Sequence, residues 1–384
     1  MNIKSKLPNL PTTIFSVMSR LAEKHQAINL SQGFPNFGCD PKLTSLVAHY
    51  VQNGFNQYCP MSGVPALNTR LAQKVKALYN ADYDPQTEIN ITSGATQAIF
   101  SAIHAFVHAG DEVIVVEPAY DCYQPSIKLA GGIVVPYQIK APDWKIDWEA
   151  FAKLITPKTR MIMINTPHNP TGSILDKSDF EALEQLVEGT DILILSDEVY
   201  EHLVFDGHRH YSILDFPTLR SRSMAIYSFG KSLHVTGWKL GYIIADAAIM
   251  HEFRKVHQFD VFSSNTPMQY AIADYLENKD TYLNLSGFFQ KKRDFFLDKI
   301  KDSAFKIKPS SGAYFQVADF SNISDEPDLV FAKRMTKEYG VATIPISGLY
   351  TNGLDNKIVR FCFAKTDETL AAAADLINQI PAKK

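Results

Sequence analysis

The chain has 384 residues, 46% of them apolar, with 38 basic against 41 acidic side chains. That length and apolar content support a large core and, on a soft length prior, two domains. The formal net charge is −3 with no basic block, which argues against nucleic acid and anionic membrane as partners.

Residues 1–8 are followed by no apolar run of the kind a secretory leader carries. Ile14 to Ala22 reads as a short helix, and Ser31-Gln32-Gly33-Phe34-Pro35-Asn36-Phe37 as a turn-rich loop in which glycine lets backbone approach a ligand. Leu43 to Val51 is helical in pattern. Asn56-Gln57-Tyr58 follows, and Pro65 opens a helix with Leu67, Leu71, Val75 and Leu78 on one face.

From Glu88 the pattern becomes α/β. Ile89 to Thr92 is a short strand, and Ser93-Gly94-Ala95-Thr96-Gln97 leads from it into a helix whose buried stripe is Ile99, Ala102, Ile103 and Phe106. Gly110 is the expected C-terminal cap. Small residues at such a turn leave backbone N–H groups free at the positive end of a helix, a seat for phosphate. The same turn is also common without a ligand. Strand-like runs recur at Glu112–Glu117, Gly132–Gln138, Met161–Asn165, Ile192–Ser196, Met224–Phe229 and Tyr242–Ala245. Ser178-Asp179-Phe180-Glu181 is the expected capping box of the helix bearing Phe180, Leu183, Leu186 and Val187. Strands alternating with helices predict a mostly parallel sheet covered on both faces, with ligands beyond the carboxyl ends of the strands.

After about residue 265 the character changes. Helices are predicted over Asn265–Leu276, Leu283–Lys301, Pro327–Tyr339 and Asp367–Ile377. Strand-like pieces fall at Gly312–Val317, Val341–Pro345 and Ile358–Phe363, completing a smaller α+β unit.

The candidate polar groups stand at strand ends. Tyr120 follows Glu117-Pro118, and Thr166-Pro167-His168-Asn169-Pro170-Thr171-Gly172 follows the next strand. Asp197-Glu198-Val199-Tyr200 caps a third, and Ser228-Phe229-Gly230-Lys231 a fourth. A lysine delivered from a buried strand into a glycine-rich loop has a lowered pKa and a usable nucleophilic amine. Lys231 is therefore read as the Schiff-base lysine of a pyridoxal 5'-phosphate enzyme. That cofactor asks for few protein groups. Asp197 can approach its pyridine nitrogen, and Tyr200 and Asn169 its phenolic oxygen. Val199 and Tyr120 can cover the two ring faces. Gly94, Ala95, Thr96, Ser228 and Lys239 can hold the phosphate, and an arginine fork is needed for the substrate carboxylate.

The ordered set Asn56-Gln57-Tyr58, Ser93-Gly94-Ala95-Thr96, Asn169-Pro170-Thr171-Gly172, Asp197-Glu198-Val199-Tyr200, Ser228-Phe229-Gly230-Lys231, Gly237-Trp238-Lys239-Leu240-Gly241 and Arg360-Phe361 spans nearly the whole chain. It resembles the class I aminotransferases among the fold-type I pyridoxal-phosphate enzymes. The resemblance gives Lys231, Asp197, Tyr200 and Asn169 the same roles as above. It also implies that Arg360 takes the substrate α-carboxylate beside Gly33, and that Tyr58 reaches the phosphate of a neighbouring subunit, hence a homodimer with shared sites. The aspartate-specific branch has arginine where Lys239 stands here. With Thr166-Pro167-His168 and the Ser31–Pro35 loop, this is similar to the kynurenine/glutamine transaminase branch and, within it, to bacterial methionine aminotransferases. Ile14, Phe15, Phe34 and Tyr58 suit an apolar or thioether substrate side chain.

Competing patterns are poorer. Ser228-x-x-Lys231 is formally the motif of penicillin-binding acyl-transferases, but neither Ser-Asp-Asn nor Lys-Thr-Gly occurs. No Gly-x-Gly-x-x-Gly follows a strand, against a dinucleotide dehydrogenase. A regulator borrowing the fold would need a DNA-binding module, and the N-terminal arm is short and not basic. A cysteine-conjugate β-lyase shares every residue named and is the serious rival. His104 and His108 lack a third ligand, and Cys39, Cys59, Cys122 and Cys362 lack metal-ligand spacing and read as reduced, so no metal is expected. His168 reads as structural, and His234 equally as site-lining or as packing.

The reading is thus an α/β fold, with a large cofactor-binding domain over residues 41–265 and a small domain built from residues 1–40 and 266–384. The expected activity moves the amino group of an apolar, sulfur-containing or aromatic L-amino acid, methionine favoured, to a 2-oxo acid by a ping-pong mechanism in the cytoplasm. Kynurenine or glutamine as donor, or β-lyase chemistry, is the alternative.

Overall fold

The computed structural model describes residues 1, 3–8 and 10–383. The first strand, β1 (Ile28–Asn29), is only two residues long. The α/β region supplies β2 (Ile89–Thr92), β3 (Glu112–Glu117), β4 (Ile133–Gln138), β5 (Thr159–Asn165), β6 (Leu193–Asp197), β7 (Ser223–Ser228) and β8 (Gly241–Ala245). These seven form one sheet in the order β2-β8-β7-β6-β5-β3-β4. Only β8 runs antiparallel to its neighbours, so the sheet is mostly parallel, as expected.

Alternation along each strand decides which core a side chain joins. Val113, Val115, Met161, Met163 and Leu195 face one core, with Ala98, Ile99, Ile103, Met250 and Phe253 of helices Ala95–Phe106 and Ala247–Asp260. Ile114, Ile162, Ile164, Ile194 and Tyr227 face the other, with Leu71, Val75, Phe180 and Leu183 of helices Pro65–Tyr79 and Lys177–Val187. Both faces are covered, which is what lets a parallel sheet be apolar on both sides.

The C-terminal part adds β9 (Phe315–Asp319), β10 (Val341–Ala342), β11 (Ile344–Pro345) and β12 (Ile358–Cys362). β11, β12 and β9 form an antiparallel sheet, and β10 pairs in parallel with β1. The N-terminal segment is thereby tied to the C-terminal unit through β1 and β10.

Several local expectations are corrected. The helix over Lys177–Val187 is capped by Asp176, not Ser178. The Asp176 carboxylate accepts from the Ser178 and Asp179 N–H groups, and Asp179 returns the bond to the Asp176 N–H. A carboxylate at the positive helix end adds charge to the cap. Gly110 is not a helix cap. That helix stops at Phe106, and Gly110 (φ +91°) instead turns the chain so that its N–H reaches the Gly131 carbonyl. The run Leu283–Lys301 is broken at Asn284 into helices Asp280–Leu283 and Leu285–Ile300. Val341–Pro345 divides at Thr343 between two sheets. The strand Met224–Phe229 ends at Ser228, where a one-turn helix, Phe229–Ser232, begins.

Candidate active site

β5, β6 and β7 end side by side, and their register sets the centre of the site. Asn165 pairs with Asp197 across β5 and β6, and Asp197 with Ile226 across β6 and β7. Beyond these ends lies a cavity of about 310 Å³. Gly33, Gly94, Ala95, Thr96, Tyr120, Asn169, Asp197, Val199, Tyr200, Ser228, Lys231, Lys239 and Arg360 all line it. Tyr58 alone of the predicted catalytic, cofactor and carboxylate-binding residues lies elsewhere; of the apolar residues suited to the substrate side chain, Phe15 lines the cavity, whereas Ile14 and Phe34 do not.

The one-turn helix after β7 carries Lys231, whose Nζ donates to the Gly33 carbonyl at 3.3 Å and lies 5.8 Å from the Tyr200 ring centre. Burial lowers its pKa to about 8, an effect that the nearby Arg360 and Lys239 reinforce and Asp197 opposes. Its amine is therefore far easier to deprotonate than a surface lysine.

Asp197 is buried at the end of β6. The Tyr123 hydroxyl donates to one carboxylate oxygen at 2.6 Å and the Val199 N–H to the other at 3.3 Å. Burial raises its pKa to about 6, against the lowering pull of those two donors and of Lys231. Tyr200 is buried edge-on to Tyr314 and Phe315.

The turn from β2 into helix Ala95–Phe106 has Gly94 at φ +83°, a conformation glycine adopts without strain. Lys239 lies over it, its Nζ 3.5 Å from where a Gly94 side chain would begin. A side chain at Gly241 would sit 2.9 Å from the Ala95 nitrogen, so glycine there lets β8 press against this turn. Helix-end N–H groups, Lys239 and the Ser228 hydroxyl form a cradle with the charge and donors a phosphate needs.

Arg360 comes from the other sheet, on β12, and is buried. Its Nη1 donates to the Asn169 side-chain oxygen at 2.7 Å and its Nη2 to the Ser31 carbonyl at 2.7 Å, while its plane lies 3.9 Å from the Phe315 ring centre. Nε is buried without a partner among the described residues. Asn169 is held in turn, its N–H donating to the Asn165 side chain at 2.7 Å.

These observations fit pyridoxal phosphate. A nucleophilic amine, a buried carboxyl, an anion cradle and a fixed guanidinium with a spare donor line one cavity.

Sequence reasoning missed several groups. Tyr123 sits in the helix Tyr123–Leu129, three residues past Tyr120. Tyr314 donates to the Gly33 carbonyl at 2.6 Å, and Lys365 donates to the Phe34 carbonyl at 2.7 Å and the Gln32 carbonyl at 3.4 Å. With Arg360 on Ser31, four successive carbonyls of the 31–34 loop are held. Only the polar residue types at strand ends could have signalled these. His234 does not line the cavity: it packs against Phe37, Phe288 and Phe289, and burial pushes its pKa down to about 4. His168 is buried, its Nδ1 2.7 Å from the Thr171 hydroxyl, consistent with a structural part. Tyr58 is exposed, edge-on to Phe262 on a separate surface groove. No helix of the described residues is long and apolar enough to cross a membrane.

Comparison with known proteins agrees with this geometry. The model of the family "Aminotransferase class I and II" matches residues 25–377. Methionine aminotransferase of Escherichia coli (strain K12) is 47% identical over 378 residues, 98% of each chain. Kynurenine–oxoglutarate transaminase 1 of Rattus norvegicus is 34% identical over 97% of each chain. The crystal structure of YbdL from Escherichia coli, for which a methionine aminotransferase function was identified, superposes with a TM-score of 0.97 at 46% identity, covering 99% of this chain and all of that one. The chain therefore belongs to the class I and II aminotransferases and is a fold-type I, pyridoxal-phosphate-dependent transaminase.

Proposed function

We propose that this enzyme takes the amino group of an apolar L-amino acid, methionine first, and passes it to a 2-oxo acid. The single observation that carries the site assignment is the convergence on one cavity of Lys231 and Asp197, from the ends of β7 and β6, and of Arg360, from within β12. The choice of methionine is supported by the E. coli relative at 47% identity and by the apolar lining of Phe15 and Phe315. The aromatic lining and the kynurenine–oxoglutarate relatives favour aromatic donors next.

Pyridoxal phosphate, when bound, supplies an aldehyde carbon that takes the amino group and a ring that accepts the electron pair released at the substrate α-carbon. Lys231 would hold the cofactor covalently, and its free amine would carry the proton to and from the substrate α-carbon. A pKa near 8 puts both protonation states within reach at neutral pH. Asp197, fixed by Tyr123 and Val199, would keep a proton on the ring nitrogen. Tyr200 and Asn169 serve the phenolic oxygen. Val199 and Tyr120 hold the ring faces, and Gly94, Ala95, Thr96, Ser228 and Lys239 the phosphate. Arg360 grips the substrate carboxylate, with Gly33 beside it.

We also propose two domains, residues 41–265 and residues 1–40 with 266–384. The seven-stranded sheet lying within the first range and the β1–β10 pairing within the second support this. The exposed Tyr58, with Phe262 and the exposed Phe259 nearby in sequence, supports a homodimer in which Tyr58 serves the neighbouring site. A cytoplasmic location is part of the same reading.

Incubating the enzyme with methionine and a panel of 2-oxo acids, and measuring the 2-oxo acid made from methionine by mass spectrometry, tests the donor. Consumption of phenylalanine or kynurenine with methionine untouched would overturn the choice.

A further inference from the structure

The cavity contains two carboxylates with different surroundings. Asp197 has Tyr123 and Val199 as donors. Asp121, the residue after Tyr120, lines the same cavity half-buried, and among the described residues no other residue hydrogen-bonds to its carboxyl. Arg360 is near enough for its charge to be felt at Asp121, pulling the carboxyl down against the stronger upward push of burial. The remaining cations of the lining are Lys231 and Lys239, already committed to the cofactor end. Among its described residues, this chain therefore supplies the lining with no second cation for a distal carboxylate. It offers a carboxylate instead.

We propose that Asp121 sets substrate specificity by excluding amino acids and 2-oxo acids that carry a second carboxylate. A substrate gripped at Arg360 brings its side chain into the space that Asp121 shares. A neutral thioether or aromatic ring meets no charge penalty there, whereas a γ-carboxylate meets a like charge in a partly desolvated pocket, with no further cation of this chain's described lining to neutralise it. Discrimination through an unfavourable contact with the wrong ligand needs no added contact with the right one. The inference rests on the proposed role of Arg360 and deepens the neutral-substrate reading.

The test uses the cofactor-loaded enzyme and two unreactive acids, pentanoate and glutarate, with Kd read from the change in cofactor absorbance. Asp121→Asn should tighten glutarate relative to pentanoate by about tenfold, and raise the glutamate-to-methionine ratio of kcat/KM by a similar factor. Asp121→Ser should act in the same direction, and Asp121→Glu should keep the wild-type order. Equal changes for both acids would mean that Asp121 merely orients Arg360, and no change would mean that it does not face the ligand; either overturns the proposal. Failure of the wild-type enzyme to use methionine would sink the donor assignment alone, because the glutarate-to-pentanoate comparison still reads Asp121.

Discussion

The Lys231 amine donates to the Gly33 carbonyl at 3.3 Å, the same oxygen that accepts the Tyr314 hydroxyl at 2.6 Å. The reactive group at the end of β7 is thus referenced to the N-terminal loop, 198 residues away in the chain. In the proposed role, the amine of Lys231 would return to this fixed acceptor when freed from the cofactor, and the loop that carries the acceptor also receives Arg360 through Ser31.

Lys231→Ala removes the lysine that the one-turn helix Phe229–Ser232 presents to the cavity, with Lys239 still lining it. The variant should keep cofactor without a covalent link and lose turnover by at least about a thousandfold, the scale of losing both a nucleophile and a proton carrier. Reduction with borohydride followed by peptide mass mapping checks the link. Wild-type labelling at Lys231, absent from the variant, is expected.

The lowered pKa of Lys231 has a stability consequence in the protein stripped of cofactor. Burial moves the amine from 10.5 to about 8. Between those values the unfolded chain holds a proton that the folded one does not, so the stability of the stripped protein rises with pH across that window. Below pH 8 the folded protein carries the full penalty of a buried ammonium. Lys231→Met should therefore raise Tm of the stripped protein at pH 7, and its advantage should fade as pH rises through 8 towards 10.5. A variant of lower or equal Tm at pH 7 would contradict this.

Arg360→Lys should be a poor replacement. A lysine cannot reproduce bonds to Asn169 and Ser31 while presenting a further donor to a carboxylate. A loss of about 10²-fold or more in kcat/KM is expected, mostly through KM, if the guanidinium binds ground state and transition state alike. Steady-state kinetics with methionine measures the split.

Away from the cavity, Lys74 and Glu201 form a buried ion pair, with the Tyr79 hydroxyl donating to Glu201 at 2.7 Å and Lys74 donating to the Tyr242 hydroxyl at 3.0 Å. Glu201 directly follows Tyr200, so the pair anchors the segment carrying Asp197 and Tyr200. Lys74→Met leaves the Glu201 carboxylate buried without its cation and should cost about 3–5 kcal/mol. Denaturant unfolding of the cofactor-loaded protein reads it, and Lys74→Met with Glu201→Gln should recover much of the loss.

The legible part of this molecule was the part written in alternation and in polar residues at strand ends. Strands β2 to β8 are apolar runs with few alternatives, and Tyr120, Asn169, Asp197 and Lys231 stand where a parallel sheet must present its ligands. Arg360 is different: a buried arginine on β12 has no local signature, and only the resemblance pointed to it. The 31–34 loop was legible as a turn, but its four held carbonyls depend on Arg360, Lys365, Lys231 and Tyr314, which are distant in sequence. His234 was adjacent in sequence to the site yet turned away from it, because at φ +59° the chain directs its ring into the Phe37, Phe288 and Phe289 cluster. Local caps failed where two candidates stood close together, as Asp176 and Ser178 do.

The most direct test of the account is the near-ultraviolet and visible absorbance of the purified, cofactor-loaded enzyme before and after addition of L-methionine with no 2-oxo acid present. The expected result is the coloured band of lysine-bound cofactor, converted by methionine to the colourless amine form and restored by adding a neutral 2-oxo acid. A band that methionine leaves unchanged would contradict the choice of donor. The absence of any such band after incubation with pyridoxal phosphate would contradict the assignment of Lys231 itself.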